Sequence, residues 1–187
     1  MKKYLVFSLL ASVIILIGAI KIGQATTTKT RTPMSAGEMY LVDNATSTVI
    51  TTQSTFTKVS VTSTQGLMLT DFTFNNNRLT YTGTATKTFH AGLTISHSSA
   101  GSNDTAQIIL YKNGTVDANQ EFTGGTQMTA GKVEHKTQLV GDVVSTAIHT
   151  FVSLAQNDYI EIGVSNISDA DDFTVKHYNL FLMEMYD

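Results

Sequence analysis

From Gly37 to the C-terminus, apolar residues recur at every second position of the sequence. Neighbouring side chains of a β-strand point to opposite faces of its sheet, so this period is typical of half-buried strands. A helical period of 3.6 residues is nowhere convincing. The pattern therefore predicts an all-β domain. The clearest sets are Phe89, Ala91, Leu93 and Ile95; Ile160, Ile162 and Val164; and Tyr178, Leu180 and Leu182.

Short polar segments separate these apolar runs. Residues 75–77 are three consecutive Asn, a residue type that tolerates positive φ and bonds its own backbone. The Asn113–Gly114 pair predicts a tight hairpin, and residues 155–158 form another short connection. About eight to ten strands at this spacing favour a sandwich or barrel. The runs predicted as strands are residues 38–43, 55–62, 67–75, 78–83, 86–98, 105–113, 115–123, 132–144, 145–154, 158–166 and 173–185.

The N-terminal segment has a different character. Lys2 and Lys3 precede an uncharged apolar run over residues 4–20, which is near the short end of what spans a bilayer. The lysines predict an N-terminus inside and a β domain outside. The run is longer than most signal-peptide cores, which favours a retained anchor over cleavage after Ala25. We therefore predict a single-pass transmembrane signal-anchor helix over residues 1–25, a polar linker over 26–36 and one β domain over 37–187.

Composition narrows the function of the β domain. Cysteine is absent, which excludes disulfides, thiolate metal sites and a Cys nucleophile. From Ser35 onward, 7 basic residues stand against 15 acidic ones, a net charge of −8. Nucleic-acid binding needs the opposite charge, so no nucleic-acid partner is expected. About one residue in six is Thr, and only 14% are charged, which is common in secreted and virion surface proteins.

No pattern in the sequence predicts an active site. The five histidines lack the spacing of metal ligands, so structural or interface roles are expected for His90 and His149. Residues 169–172 form the only acidic cluster; a solvated turn is the favoured interpretation and a calcium loop the alternative. Paired acids such as Asp142 and Glu161 would be needed for a glycan hydrolase. We therefore predict no catalytic, cofactor-binding or metal-ligating residue, and no cofactor.

Several segments resemble the C1q/TNF-like jelly roll. Residues 150–162 are similar to the family's penultimate strand pair, with Asn157–Asp158 where the family usually has Gly–Asp, and residues 178–182 are similar to its closing strand. Residues 38–40, 78–83 and 111–115 resemble C1q-like jelly rolls of bacteriophage structural and receptor-binding proteins. The resemblance implies a single jelly-roll β-sandwich, a homotrimer with the closing strands near its axis, and a virion or cell-surface setting.

Two functions follow as hypotheses. The first is a non-enzymatic structural or attachment protein of a virion, anchored in membrane lipid and contacting other virion or surface proteins. The second is a cellular surface module that binds a glycan or a protein ligand. The number of copies in the assembly, trimer or other, stays open at this point.

Overall fold

The computed structural model describes residues 34–75 and 77–185. Within this part of the chain, twelve strands and one short 3-10 turn (Thr129–Gly131) follow one another. The strands are β1 (Ala36–Leu41), β2 (Thr57–Lys58), β3 (Thr64–Met68), β4 (Phe72–Asn75), β5 (Arg78–Tyr81), β6 (Lys87–Ser99), β7 (Thr105–Val116), β8 (Phe122–Gln127), β9 (Val133–Lys136), β10 (Val144–Leu154), β11 (Tyr159–Asn166) and β12 (Phe173–Glu184). The all-β prediction is confirmed.

The membrane anchor stays a prediction. Residues 1–25 and the linker up to residue 33 lie outside the described residues. Among the residues that are described, no helix has the length and apolar character needed to cross a membrane.

The strands form two antiparallel sheets. A five-stranded sheet has the order β10-β6-β12-β1-β3, and a seven-stranded sheet has the order β4-β5-β11-β7-β8. The two remaining strands extend the second sheet, β2 beside β11 and β9 beside β7. From β5 onward the chain passes between the sheets five times, at the β5–β6, β6–β7, β9–β10, β10–β11 and β11–β12 connections. This topology is that of a jelly-roll sandwich.

Apolar residues of both sheets fill the space between them. Phe89, Ala91, Leu93 and Ile95 of β6 are all buried, which confirms the face predicted from their spacing. The sets from β11 and β12 are buried in the same core. The largest fully buried side chains are Tyr81, Phe89, Phe173, Met39, Leu79, Leu93, Ile108, Ile109, Leu110, Ile148, Leu154 and Ile160.

The hairpin predicted at Asn113–Gly114 is wrong. β7 continues through it to Val116, and the pairing of β7 with β8 shifts register between Lys112 and Thr115. Asn113 does adopt positive φ (54°), but it forms a bulge within the strand rather than a reversal. The chain reverses later, where the Asp117 carboxylate accepts the backbone N–H groups of Asn119 and Glu121, each at 2.9 Å.

The predicted reversal between β4 and β5 is confirmed, since Asn75 pairs with Arg78 across the two strands and Asn77 adopts φ 58°. The run predicted as one strand over residues 67–75 is divided between β3 and β4. Asp71 adopts φ 68° at the break, a conformation that an extended strand does not contain.

Candidate assembly surface

One surface of the five-stranded sheet faces the core and the other faces outward. Three neighbouring strands, β10, β6 and β12, form the middle of the outward surface. Cross-strand pairing places His149 opposite Gly92, and Gly92 opposite Phe181. The adjacent outward row pairs Phe151 with His90, and His90 with Met183. We call these two rows the aromatic face; its members are His90, Gly92, His149, Phe151, Phe181 and Met183.

A pair of histidines lies at the centre of the aromatic face. His90 Nε2 and His149 Nδ1 are 3.1 Å apart, and the two rings are stacked with 18° between their planes. One ring nitrogen of the pair donates to the other, so the contact satisfies one nitrogen of each ring. The prediction that these residues have structural or interface roles is consistent with this placement.

Aromatic rings surround the histidine pair. The Phe181 ring packs edge-on against His90, with 5.6 Å between centroids, and the Phe151 ring lies at the same distance on the other side. A Cβ on Gly92 would overlap the Phe181 ring, so the glycine leaves the space that this ring occupies on the sheet. The position of the Phe181 ring therefore depends on Gly92 of β6 as well as on the neighbouring aromatic residues.

The aromatic face is open to solvent. Phe151 is 66% exposed, and Met183 is 38% exposed. Isolated apolar residues are common on protein surfaces, but a contiguous aromatic set marks an interaction site. Aromatic residues and Met are also enriched in the centres of protein interfaces.

Polar groups border the aromatic face on the β1 side. Glu38 pairs with Phe181 across the strands, and its carboxylate accepts hydrogen bonds from the Leu67 backbone N–H at 3.0 Å and from the Asn179 amide. These two donors hold the pKa of the Glu38 carboxyl below its usual range. The face thus has an aromatic centre and, on the β1 side, a charged and hydrogen-bonded border, as interfaces commonly do.

A groove of about 690 Å³ continues the outward surface beyond the aromatic face. Tyr40, Thr94, Ala147 and Asn179 line it from four adjacent strands, and His177 also lines it. Its size falls within the range of small-ligand sites. It is open along the sheet rather than enclosed.

The remaining residues singled out from the sequence lie elsewhere. Glu161 is buried against Lys58 and Arg78, with Nζ and Nη2 at 2.5 and 2.9 Å from its Oε1. Asp142 lies in the exposed turn before β10, where its carboxylate accepts the Leu139 N–H. Glu161 is therefore a buried counter-ion of Lys58 and Arg78, and Asp142 and Glu161 do not share a cleft.

The acidic cluster at residues 169–172 is not a single group. Asp172 Oδ1 accepts the backbone N–H of Ile50 at 2.9 Å and so anchors the segment before β2. Asp169 and Asp171 instead lie beside Asp104, which follows β6 and is distant in sequence. The sequence around Asp104 does not predict its contact with Asp169 and Asp171, because only the topology brings the β6–β7 and β11–β12 connections together.

The sandwich is similar to solved TNF-like structures. Eiger TNF from S. frugiperda superposes with a TM-score of 0.52 at 13% identity, covering 83% of this chain and 95% of that one. The crystal structure of murine APRIL at pH 5.0 gives 0.50 at 9% identity, covering 80% and 99%. Murine APRIL at pH 8.0 gives 0.51 at 10% identity, with the same coverage.

No protein-family model and no curated protein matches the sequence. At identities this low, the structural likeness shows the fold alone. That fold is a TNF-like jelly roll, which confirms the fold that the sequence resemblance implied.

Proposed function

We propose that the chain is a non-enzymatic structural or attachment protein of a virion, of the kind bacteriophages carry. In this proposal, residues 1–25 anchor it in a membrane, and the jelly roll assembles outside as a homotrimer through the aromatic face. The observation that carries the proposal is that Phe151, His149 and Met183 are exposed beside the half-buried His90 and Phe181, on the outward surface of a sandwich that has its own core.

Two features support a trimer in particular. The resemblance to C1q/TNF-like jelly rolls implies that the closing strands lie near the trimer axis. β12 is the closing strand here, and Phe181 and Met183 extend from its outward surface between β6 and β1. Burying aromatic residues between copies would release about 25 cal/mol for each Å² of apolar surface removed from water.

Cross-linking tests the assembly surface, and the absence of native cysteine makes the design simple. The full chain in detergent would carry one new cysteine, either Thr94→Cys on the outward surface of β6 or Thr126→Cys on exposed β8 of the other sheet. A three-armed maleimide is expected to give a three-chain product with Thr94→Cys and only single chains with Thr126→Cys. Equal products from both variants, or none from Thr94→Cys, would contradict the proposal.

The membrane anchor and the presence of the protein in virus particles are tested separately from the assembly surface. Protein from purified particles is expected to begin at Met1 and to resist extraction from membranes at alkaline pH, because an uncleaved apolar run of this length stays in lipid. A mature chain that begins at Thr26 in a culture supernatant would contradict the anchor while leaving the aromatic face untouched.

The alternative function is a cellular surface module that binds a glycan or a protein ligand. The groove beside the aromatic face favours it, since Tyr40 and four neighbouring polar or small residues offer stacking and hydrogen bonding. Glycan-array binding that is lost with Tyr40→Ala, together with absence of the protein from particles, would select this alternative.

A further inference from the structure

Two crossovers between the sheets meet at one end of the sandwich. Residues 100–104 carry the chain from β6 to β7, and residues 167–172 carry it from β11 to β12. Asp104 ends the first crossover, and Asp169 and Asp171 lie in the second. One carboxylate oxygen from each of these three residues lies within 4.8 Å of the other two.

Asp104 is the unusual member of this cluster. Its residue surface is 0% exposed, and its backbone carbonyl is held by Thr137, whose N–H donates at 2.8 Å. Oδ2 accepts the Ser99 hydroxyl, whereas Oδ1 is buried and has no hydrogen-bond partner among the described residues. A buried carboxylate oxygen without a partner is costly, and its presence points to a group that completes it.

The surroundings of the cluster supply no positive side chain. Within residues 34–75 and 77–185, none of the three carboxylates forms an ion pair with Lys, Arg or His. Asp169 Oδ1 accepts the Asn166 amide at 2.6 Å and the Asp171 backbone N–H at 2.9 Å, which orients the loop. Asp171 is exposed, so the cluster is reachable from solvent.

Glycine keeps the two crossovers close together. A Cβ on Gly101 would overlap Asp171 Oδ2 and would lie 2.7 Å from Asp104 Oδ2. Gly101 N–H also donates to the Ser99 hydroxyl oxygen at 3.2 Å, so the same hydroxyl links the loop backbone to Asp104.

We propose that Asp104, Asp169 and Asp171 bind one Ca²⁺ ion that joins the two crossovers. The donors are all oxygens, which suits a hard cation and not zinc or copper. Ca²⁺ accepts irregular oxygen cages with water in the remaining positions, whereas Mg²⁺ demands a near-ideal octahedron. The ion would neutralise three converging charges and tie β6 and β12 of one sheet to β7 and β11 of the other.

The sequence favoured a solvated turn at residues 169–172. The buried Asp104 carboxylate beside that turn is the reason that a calcium site is proposed instead. It is independent of the aromatic face, so either can fail without the other. The alternative to a bound cation is a proton shared between the carboxyl groups of Asp104 and Asp169. Burial raises the pKa of the Asp104 carboxyl, and the adjacent Asp169 raises it further.

Thermal unfolding of the full chain in detergent, with Ca²⁺, with Mg²⁺ or with a chelator, tests the proposal. We expect Ca²⁺ at a hundredfold excess over its Kd to raise Tm by about 5 °C. Asp104→Asn keeps the shape and removes the charge, so it is expected to abolish the rise; Asp171→Asn, on the exposed side, is expected to weaken it. Asp43→Asn, far from the cluster and exposed, is the matched control and is expected to keep the full rise.

Calorimetric titration of the same proteins with CaCl₂ supplies a direct readout, with one ion bound per chain expected. Wild-type protein that is unresponsive to millimolar Ca²⁺ would overturn the proposal. Greater stability of Asp104→Asn than of wild type would then favour the shared proton. A response to Mg²⁺ equal to that to Ca²⁺ would overturn the assignment of the ion. Equal loss of the response in Asp43→Asn and Asp104→Asn would also overturn it.

Discussion

His97 is a buried residue of β6 and packs edge-on against Phe173 with 5.3 Å between ring centroids. Both of its ring nitrogens are buried and have no hydrogen-bond partner among the described residues. Burial lowers the pKa of His97 to about 4, and the nearby His135 acts in the same direction. The core therefore holds a neutral imidazole that the unfolded chain would protonate near pH 6.5.

This burial predicts a pH-dependent loss of stability. Between pH 6.5 and about 4, the unfolded chain binds a proton that the folded chain does not, so the free energy of unfolding falls as pH falls through that window. From pH 7 to pH 5 the loss from His97 is expected to be about 1–2 kcal/mol. Urea unfolding at the two pH values measures it.

Substitution separates His97 from the other titrating groups. His97→Leu is expected to remove that share of the loss, whereas His177→Gln, at an exposed position, is expected to keep it. Identical pH profiles for wild type and His97→Leu would contradict the account of His97.

Glu161 is a second residue whose burial has a measurable consequence. Its side chain is 1% exposed and neutralises Lys58, which is itself 8% exposed. Removing one partner of a buried pair leaves an uncompensated charge, so Glu161→Gln is expected to lower the free energy of unfolding by about 3 kcal/mol. Denaturant unfolding measures this change.

The Lys132–Glu134 pair on the surface is the control for Glu161. Its atoms are 3.5 Å apart and both side chains are exposed to solvent. Glu134→Gln is expected to change stability by less than about 0.5 kcal/mol. Comparable effects of the two substitutions would show that Glu161 is not a buried counter-ion.

At the scale of single elements, the bulge in β7 contacts the turn between β10 and β11. Asn113 Nδ2 donates to Asp158 Oδ1 at 2.6 Å, and Asn113 Oδ1 accepts the Tyr159 N–H at 2.9 Å. Asp158 also accepts from Lys112, and these donors lower the pKa of its carboxyl against the opposing effect of burial. The bulge therefore holds the β10–β11 turn in place.

Asn113→Ala tests this role. The substitution removes both hydrogen bonds and places Ala at φ 54°, so a loss of about 2 kcal/mol in unfolding free energy is expected. Asn119→Ala, an exposed position in the turn after β7, is expected to change stability by less than about 0.5 kcal/mol. Equal losses would mean that the bulge is held by strand pairing alone.

The bulge also illustrates what local sequence can and cannot predict. The apolar alternation of β6, β11 and β12 correctly predicted the apolar side chains that line the core, because one face of each strand must cover it. It did not predict that the other face of β11, with Glu161, is buried as well. The Asn113–Gly114 pair correctly indicated positive φ but not its consequence, since pairing with β11 and β8 decides between a bulge and a reversal. Local signals describe a residue's conformation, and long-range pairing gives it a structural role.

In the candidate sites too, local sequence indicated single residues, whereas long-range pairing determined which of them are in contact. His90 and His149 were predicted to be interface or structural residues, but their contact depends on the register of β10 against β6. Phe151 is outward because Val152 and Leu154 occupy the inward positions of the same strand. Asp104 joins Asp169 and Asp171 only through the topology of two crossovers, which no local pattern specifies.

At the scale of the whole molecule, the sandwich fills its own core and leaves the aromatic face exposed. The domain from Ser35 onward has a net charge of −8, so copies repel one another unless a specific surface overcomes that repulsion. The aromatic face, with its histidine pair and its charged border, is the surface that we assign to that role.

Phe151→Asp addresses this role directly. An additional carboxylate at the most exposed ring of the face would be desolvated between copies and would face like charge, so dissociation of the assembly is expected. Leu139→Asp, at an equally exposed apolar position in the turn before β10, is the control and is expected to leave the assembly intact.

The decisive measurement is the mass of the full chain in detergent by sedimentation, corrected for bound detergent. The account predicts a species of about three times the 20.3 kDa chain mass for wild type and Leu139→Asp, and single chains for Phe151→Asp. A wild-type protein that sediments as a single chain, or a Phe151→Asp variant that remains trimeric, would contradict assembly through the aromatic face.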